Sequence, residues 1–299
     1  MIVSCGSAIM DMLPEPVPGG CNMNVAITAA RLGAPTAFLG RVSTDHYGDL
    51  LVKHLADSGV DLSLVERGPE RTARAIVSTQ PSPTFEFDAD GAADSALESN
   101  DLSPIGPGPH IVHGGTNVDY RGRTAHTIVS LIETSPGLVS CDPNIRPALI
   151  DDRSEWESWH DRWVAATSLY RCSDEDLGWI WPGRAPSSVA AELLDRGPDV
   201  VIVTAGSSGC QVFGDGWSVS AAARAVSVKD TVGAGDGFIG SLLTDLHAVD
   251  ARDPAALARV SEDDWRRIAQ RACEVAAVVC TRIGADPPWA SELPEPTGR

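Results

Sequence analysis

Lysine is almost absent from this 299-residue chain: Lys53 and Lys229 are the only two, against 41 acidic residues and a formal net charge of −18. A surface this acidic repels phosphate backbones and anionic headgroups, so nucleic acid and membrane faces are excluded as main partners. Neither lysine follows a glycine, so there is no Walker A loop. Long apolar runs are missing too, and no basic region precedes the first apolar residues, so no membrane span or secretory leader is expected. The seven cysteines (Cys5, Cys21, Cys141, Cys172, Cys210, Cys273 and Cys280) include no Cys-x-x-Cys pair and are odd in number. That argues against a disulfide framework and a structural zinc site. Cys273 and Cys280 sit seven apart on an apolar helical pattern and read as core. A reduced, cytoplasmic protein is the expectation.

What is present is an alternation of strands and helices. Ile2 to Ile9 reads as one buried strand ending at Asp11, followed by a short Pro-rich segment, Leu13 to Pro18, and a helix from about Asn22 to Leu32. A strand at Thr36 to Leu39 and a helix near Tyr47 to Ser58 follow. Later come strands at Ile111–His113, Leu138–Cys141 and Val200–Val203, with helices near Trp156–Ala166 and Trp265–Thr281. Such alternation predicts an α/β fold with a mostly parallel sheet covered on both faces. Arg74 to Phe87 departs from it: two antiparallel strands around a turn with Pro81 and Pro83 read as a hairpin that projects as a lid or an interface. One domain over 1–299, with a small β lid from about 72–90 and the short 12–18 segment, fits better than two domains.

The densest signal lies late, at Asp230-Thr231-Val232-Gly233-Ala234-Gly235-Asp236-Gly237. An alternating apolar run, Ala225 to Val228, precedes it, and Ile239, Leu242, Leu243 and Leu246 follow at helical spacing. A strand-to-helix junction with small residues offers free backbone N–H groups to an anion. An aspartate beside an anion site makes sense if it takes the proton of a nucleophile that attacks that anion. Gly235 to Gly240 also fits G-x-G-x-x-G, which would suit an NAD-dependent oxidoreductase. However, its glycines fall inside the helical run, and close helix packing accounts for Gly237 and Gly240 better.

An earlier glycine pair forms a second candidate. Asp11 ends the first strand, and Gly19-Gly20-Cys21-Asn22-Met23-Asn24 opens the next helix. Ligands of parallel sheets bind at the carboxyl ends of strands, where Asp11, Gly19, Gly20 and Asn24 would meet a polyhydroxylated substrate. The plain alternative is a helix cap and a turn.

In combination these motifs are specific. Gly19 to Ala26, Ala30-Arg31-Leu32-Gly33, Gly40-Arg41-Val42 with Asp45 and Gly48, and Asp230 to Asp236 resemble the ribokinase-like (PfkB-type) carbohydrate kinase family over nearly the whole chain. Asp142-Pro143-Asn144 with Arg146-Pro147, Ser173-Asp174-Glu175-Asp176-Leu177, and Thr204, Gly206 and Gly209 bring the pattern nearest to the bacterial fructokinase branch. The resemblance implies a three-layer α/β/α sandwich with a reduced β lid. It also implies ATP-dependent transfer of a γ-phosphoryl group to a sugar hydroxyl, fructose ahead of 2-keto-3-deoxygluconate, ribose or a nucleoside. The few aromatics, three Tyr and five Phe, disfavour a nucleoside.

In that reading Asp236 is the general base, and the N–H groups of Gly233, Ala234, Gly235 and Asp236 hold the transferring charge. Arg146 reaches the substrate or a phosphate oxygen, or else pairs with a carboxylate. Thr204, Gly206, Gly209 and Ser173 serve the nucleotide, with a simple hairpin turn as the alternative for the first three. Asp176 stands where relatives carry the glutamate that holds Mg²⁺ through water, or it merely closes a helix turn capped by Ser173. Asp230 begins a loop that in some relatives lies near a monovalent cation such as K⁺. Met10, Met12, Phe85 and Phe87 are candidates for the sugar pocket. Eight positions from Asp11 to Gly19 is a short span for this family, which puts lid closure and a lid-mediated homodimer in question.

Overall fold

The computed structural model describes residues 1–13, 15–78, 84–99, 105–106 and 108–294. Short strands rich in Val, Ile and Leu, buried on both faces, form its centre, as parallel sheets require. In chain order the strands are β1 (Ile2–Cys5), β2 (Ile9–Met12), β3 (Val17–Gly19), β4 (Thr36–Ser43), β5 (Val65–Gly68), β6 (Arg74–Ser78) and β7 (Thr84–Asp88). They continue with β8 (Ile111–Gly114), β9 (Leu138–Cys141), β10 (Leu169–Ser173), β11 (Val200–Thr204), β12 (Cys210–Gly214) and β13 (Trp217–Ala221). The helices are α1 (Cys21–Arg31), α2 (His46–Asp57), α3 (Gly122–Ile132), α4 (Arg153–Ala166), α5 (Asp174–Ile180), α6 (Pro186–Leu194), α7 (Ala234–Ala248), α8 (Pro254–Leu257) and α9 (Glu262–Val279).

Nine strands make one sheet in the order β13-β12-β11-β10-β9-β8-β1-β4-β5. It is parallel except where β12 pairs antiparallel with β11 and with β13. Alternate side chains of β1 serve opposite cores. Ile2 packs with α1, α7 and α9 through Val25, Ile239 and Ile268. Val3 packs with α3 and α4 through Ile128 and Trp163. The expected α/β layering, helices on both faces of a mostly parallel sheet, is therefore present. Among the described residues no helix is long and apolar enough to cross a membrane, and all seven cysteines are free.

Two strand expectations need correction. Ile2 to Ile9 is not one strand, because Gly6 at φ 125° turns the chain out of the large sheet, and β2 starts in a second one. Ala225 to Val228 alternates in sequence but is irregular and largely exposed. It has no partner strand among the described residues, so its alternation never acquires a ladder.

The second sheet has four strands in the order β3-β2-β6-β7. The β6–β7 hairpin pairs as expected, Arg74 with Asp88 through Ser78 with Thr84; its turn at Pro81 and Pro83 lies outside the described residues, as does part of the Pro104–Pro109 loop. The hairpin is not alone, however. β2 joins β6 in parallel and β3 antiparallel, so Met12, Val17 and Pro18, at the two ends of the 12–18 segment, belong to this sheet and β2 carries Asp11 in it.

Candidate active site

A cavity of about 1190 Å³ opens where the carboxyl ends of β10 and β11 meet the heads of α1, α5 and α7 and the second sheet. Its floor is set by glycines that only glycine can fill. Gly20 caps α1 at φ 109°, ψ 124°, and a Cβ on it would lie 2.7 Å from Ser7 O. Gly233 caps α7 in the left-handed region at φ 78°, and a Cβ there would come 2.5 Å from Ala285 Cβ.

These two helix heads bring the distant motifs together. Asn24 Nδ2 donates to Asp236 Oδ2 at 2.8 Å, across 212 residues of chain. Asp236 is 6% exposed; burial pushes its carboxyl up to about 6, raised further by Asp142 and opposed by the Asn24 hydrogen bond, Arg146 and Arg171. Asp11 faces the same cavity from β2. Burial first, then Asp230, lifts its carboxyl to about 6, against the pull of Arg146. Gly19 leaves space for it, since a Cβ there would sit 2.4 Å from Asp11 Oδ2.

Of the four backbone N–H groups expected to face an anion, one is already taken. Ala234 N–H is taken by Thr231 O at 3.2 Å. The N–H groups of Gly233, Gly235 and Asp236 have no acceptor among the described residues, as the first turn of a helix leaves them. Gly237 and Gly240 lie deeper in α7. A Cβ on Gly237 would meet Val279 Cγ2 at 2.9 Å, and one on Gly240 would meet Thr28 Cβ at 2.6 Å. They are packing glycines, which disposes of the dinucleotide match.

The remaining sites are mixed. Arg146 lines the cavity, donates to Ile145 O at 2.9 Å and has no ion-pair partner among the described residues, so the salt-bridge alternative finds no support there. Thr204, Gly206 and Gly209 line the cavity too, and the β11–β12 turn needs glycine: a Cβ on Gly209 would lie 2.0 Å from Ala221 O. Ser173 caps α5, and Asp176 returns the bond, accepting from Ser173 N at 3.0 Å and Oγ at 2.7 Å. The other oxygen of Asp176 accepts from Ile145 N at 2.7 Å. Asp230 accepts from Val232 N at 3.1 Å and Gly284 N at 2.9 Å, bracing its loop. Phe87 lines the cavity. Met10 instead is fully buried beside Met23 and Phe38, with Met12 packed on that cluster, because β2 turns them away from the opening. The side chain of Phe85 lies outside the described residues. Sequence reading missed Arg171, a cation in the middle of the apolar strand β10; that mismatch was the available signal.

The model of the pfkB family carbohydrate kinases matches residues 14–292. The chain belongs to that family. This carbohydrate kinase is 32% identical over 259 residues to a fructokinase of Rhizobium leguminosarum bv. trifolii, covering 82% of this chain and 79% of that protein. Among solved structures it is similar to the fructokinase of Xylella fastidiosa with bound ATP, with TM-score 0.87 and 24% identity over 98% of this chain and 94% of the other. It is also similar to the aminoimidazole riboside kinase of Salmonella enterica, complexed with aminoimidazole riboside and an ATP analogue, with TM-score 0.83 and 25% identity over 95% and 94%. It is an enzyme, a sugar phosphotransferase.

Proposed function

We propose that this kinase phosphorylates a hydroxyl of fructose with ATP, with Asp236 as the general base. The observation that supports the reading is the Asn24–Asp236 hydrogen bond, which joins the head of α1 to the first turn of α7, where helix N–H groups lack acceptors among the described residues. The acceptor oxygen attacks the γ-phosphorus, its proton passes to Asp236, and the bond from that phosphorus to the β-phosphate oxygen breaks to release ADP. Asn24 fixes the carboxylate's orientation. The N–H groups of Gly233, Gly235 and Asp236 stabilise charge on the transferring group. Asp11, Gly19, Gly20 and Arg146 hold the sugar, Thr204, Gly206 and Gly209 the nucleotide, and the four-stranded sheet serves as lid to a single catalytic unit.

The carboxylates at the head of α5 fit Mg²⁺. Mg²⁺ takes one or two carboxylates and keeps its waters and the substrate's phosphates as further ligands. Asp176 already accepts three hydrogen bonds, so it would hold the ion through water, with Glu175 beside it on the cavity wall. Bound there, Mg²⁺ supplies charge neutralisation at the phosphates.

A second reading, a keto-acid sugar such as 2-keto-3-deoxygluconate, is favoured by the Arg146 guanidinium, which has no ion-pair partner among the described residues and suits a carboxylate. ADP release with Mg-ATP across ketoses, aldoses, keto-acid sugars and nucleosides separates them. Fructose is expected to give the largest kcat/KM. A larger value for a keto acid replaces fructose, and background rates with every acceptor refute the kinase reading.

A further inference from the structure

One buried cation takes no part in the chemistry proposed for this site. Arg171 is 6% exposed and is the only Lys or Arg buried to that degree among the described residues. Its Nη1 donates to Asp142 Oδ2 at 2.6 Å and its Nη2 to Thr204 Oγ1 at 2.5 Å. Its Nε, and the second oxygen of Asp142, have no partner among the described residues. Burying a pair this incompletely satisfied is costly, and an apolar pair would hold three strands together at lower cost. A plain structural role therefore explains it poorly.

Its position supplies another role. The guanidinium lines the cavity directly beside the first turn of α7, where a Cβ on Gly235 would stand 3.2 Å from Nη1 and 3.3 Å from Nη2. That turn presents N–H groups without acceptors, equivalent to about half a positive charge, whereas a transferring phosphoryl group carries more than one negative charge. Among the described residues no lysine lines the cavity, and of the arginines that do, Arg171 is the one that stands against Gly235. Arg171 is a full charge at the place where the helix gives a fraction.

We propose that Arg171 is a phosphate-binding residue whose guanidinium contacts the γ-phosphoryl oxygens beside Gly235, with Asp142 and Thr204 as positioning residues that hold its plane. The proposal rests on the ATP-dependent kinase reading. It does not depend on which sugar is the acceptor.

The test uses the whole protein. Calorimetric titration with ADP and with a non-hydrolysable ATP analogue compares wild type, Arg171→Met and the charge-balanced double variant Arg171→Met/Asp142→Asn, which leaves no buried carboxylate uncompensated. The expected result is that both variants lose about tenfold or more in affinity for the analogue and little for ADP, while kcat falls by about a hundred- to a thousandfold. Guanidinium ion added to Arg171→Ala at non-denaturing concentration restores part of kcat. Equal losses for ADP and analogue, unchanged kcat, or no rescue in a variant that melts like wild type overturn the proposal. If wild-type protein binds neither nucleotide, the kinase reading fails first and the proposal fails with it.

Discussion

Replacing Asp236 with asparagine separates catalysis from folding, and the two effects have opposite signs. The amide matches the carboxylate in shape and keeps an oxygen for Asn24 Nδ2, now 2.8 Å away. It cannot accept a proton from the acceptor hydroxyl. Loss of a general base costs about 10²–10⁴ in rate, or roughly 3–5 kcal/mol of barrier at about 1.36 kcal/mol per tenfold. Stability moves the other way. Burial raises the folded-state pKa of Asp236 to about 6 from 3.8. A carboxylate raised in this way favours folding only while it is neutral, so its stabilising share is lost as pH rises from about 4 to about 6. A rise of that size corresponds to roughly 3 kcal/mol. Asp236→Asn should therefore melt higher than wild type at pH 7 and at about the same temperature at pH 4. Coupled ADP-release assays give kcat, calorimetry gives ATP affinity, and thermal melts at both pH values give the stability difference. A variant with near-normal kcat refutes the base assignment. A slow variant that has also lost ATP affinity or melts lower refutes the geometry.

Further outcomes follow from the same site. Wild-type kcat/KM should fall about tenfold per pH unit below pH 6 and stay level above 7, because Asp236 must be ionised; Asn24→Ala, which removes the bond that lowers this pKa, should move the acid limb upward, and an unmoved limb dissociates it from Asp236. Gly240→Ala drives a methyl toward Thr28 Cβ at 2.6 Å and should cost about 1–3 kcal/mol of stability by overpacking, read as a lower Tm with kcat intact. If Asp230 helps to hold K⁺, turnover should be faster in K⁺ than in Na⁺ or choline, and equal rates in all three remove that role. Cys21 faces the cavity, but burial raises its thiol well above the usual range, so iodoacetamide at pH 7.5 should inactivate the enzyme slowly; rapid loss protected by sugar contradicts this.

The helices that head the site were legible because their signals are local. Glycines, an aspartate in the first turn and apolar residues at helical spacing appear in consecutive residues, and α1 and α7 begin where those residues place them. The Asn24–Asp236 contact was not read from the sequence, which offered the two segments as separate halves of a site, since nothing in either segment names the other. Two readings failed where tertiary context overrides pattern. Ile2 to Ile9 looks continuous in apolarity, yet Gly6 at φ 125° sends the chain to another sheet, and periodicity does not register a turn in direction. Ala225 to Val228 alternates but finds no strand to pair with among the described residues. Arg171 was overlooked because its value comes from β9, β11 and α7, which surround it in space and not in sequence.

The placement of Asp11 bears on the competition between sugar and solvent. Water is itself a hydroxyl nucleophile, present at far higher concentration than any sugar, and a kinase that accepts it wastes ATP. Asp11 belongs to the four-stranded sheet and Asp236 to a helix on the nine-stranded one. If both carboxylates hold the acceptor, a sugar offers several hydroxyls to bond to each of them, whereas a single water molecule bonds to one. Dividing the two groups between separate sheets would then make the size of the acceptor a condition for ordering the reaction, and so give the enzyme a means of rejecting water.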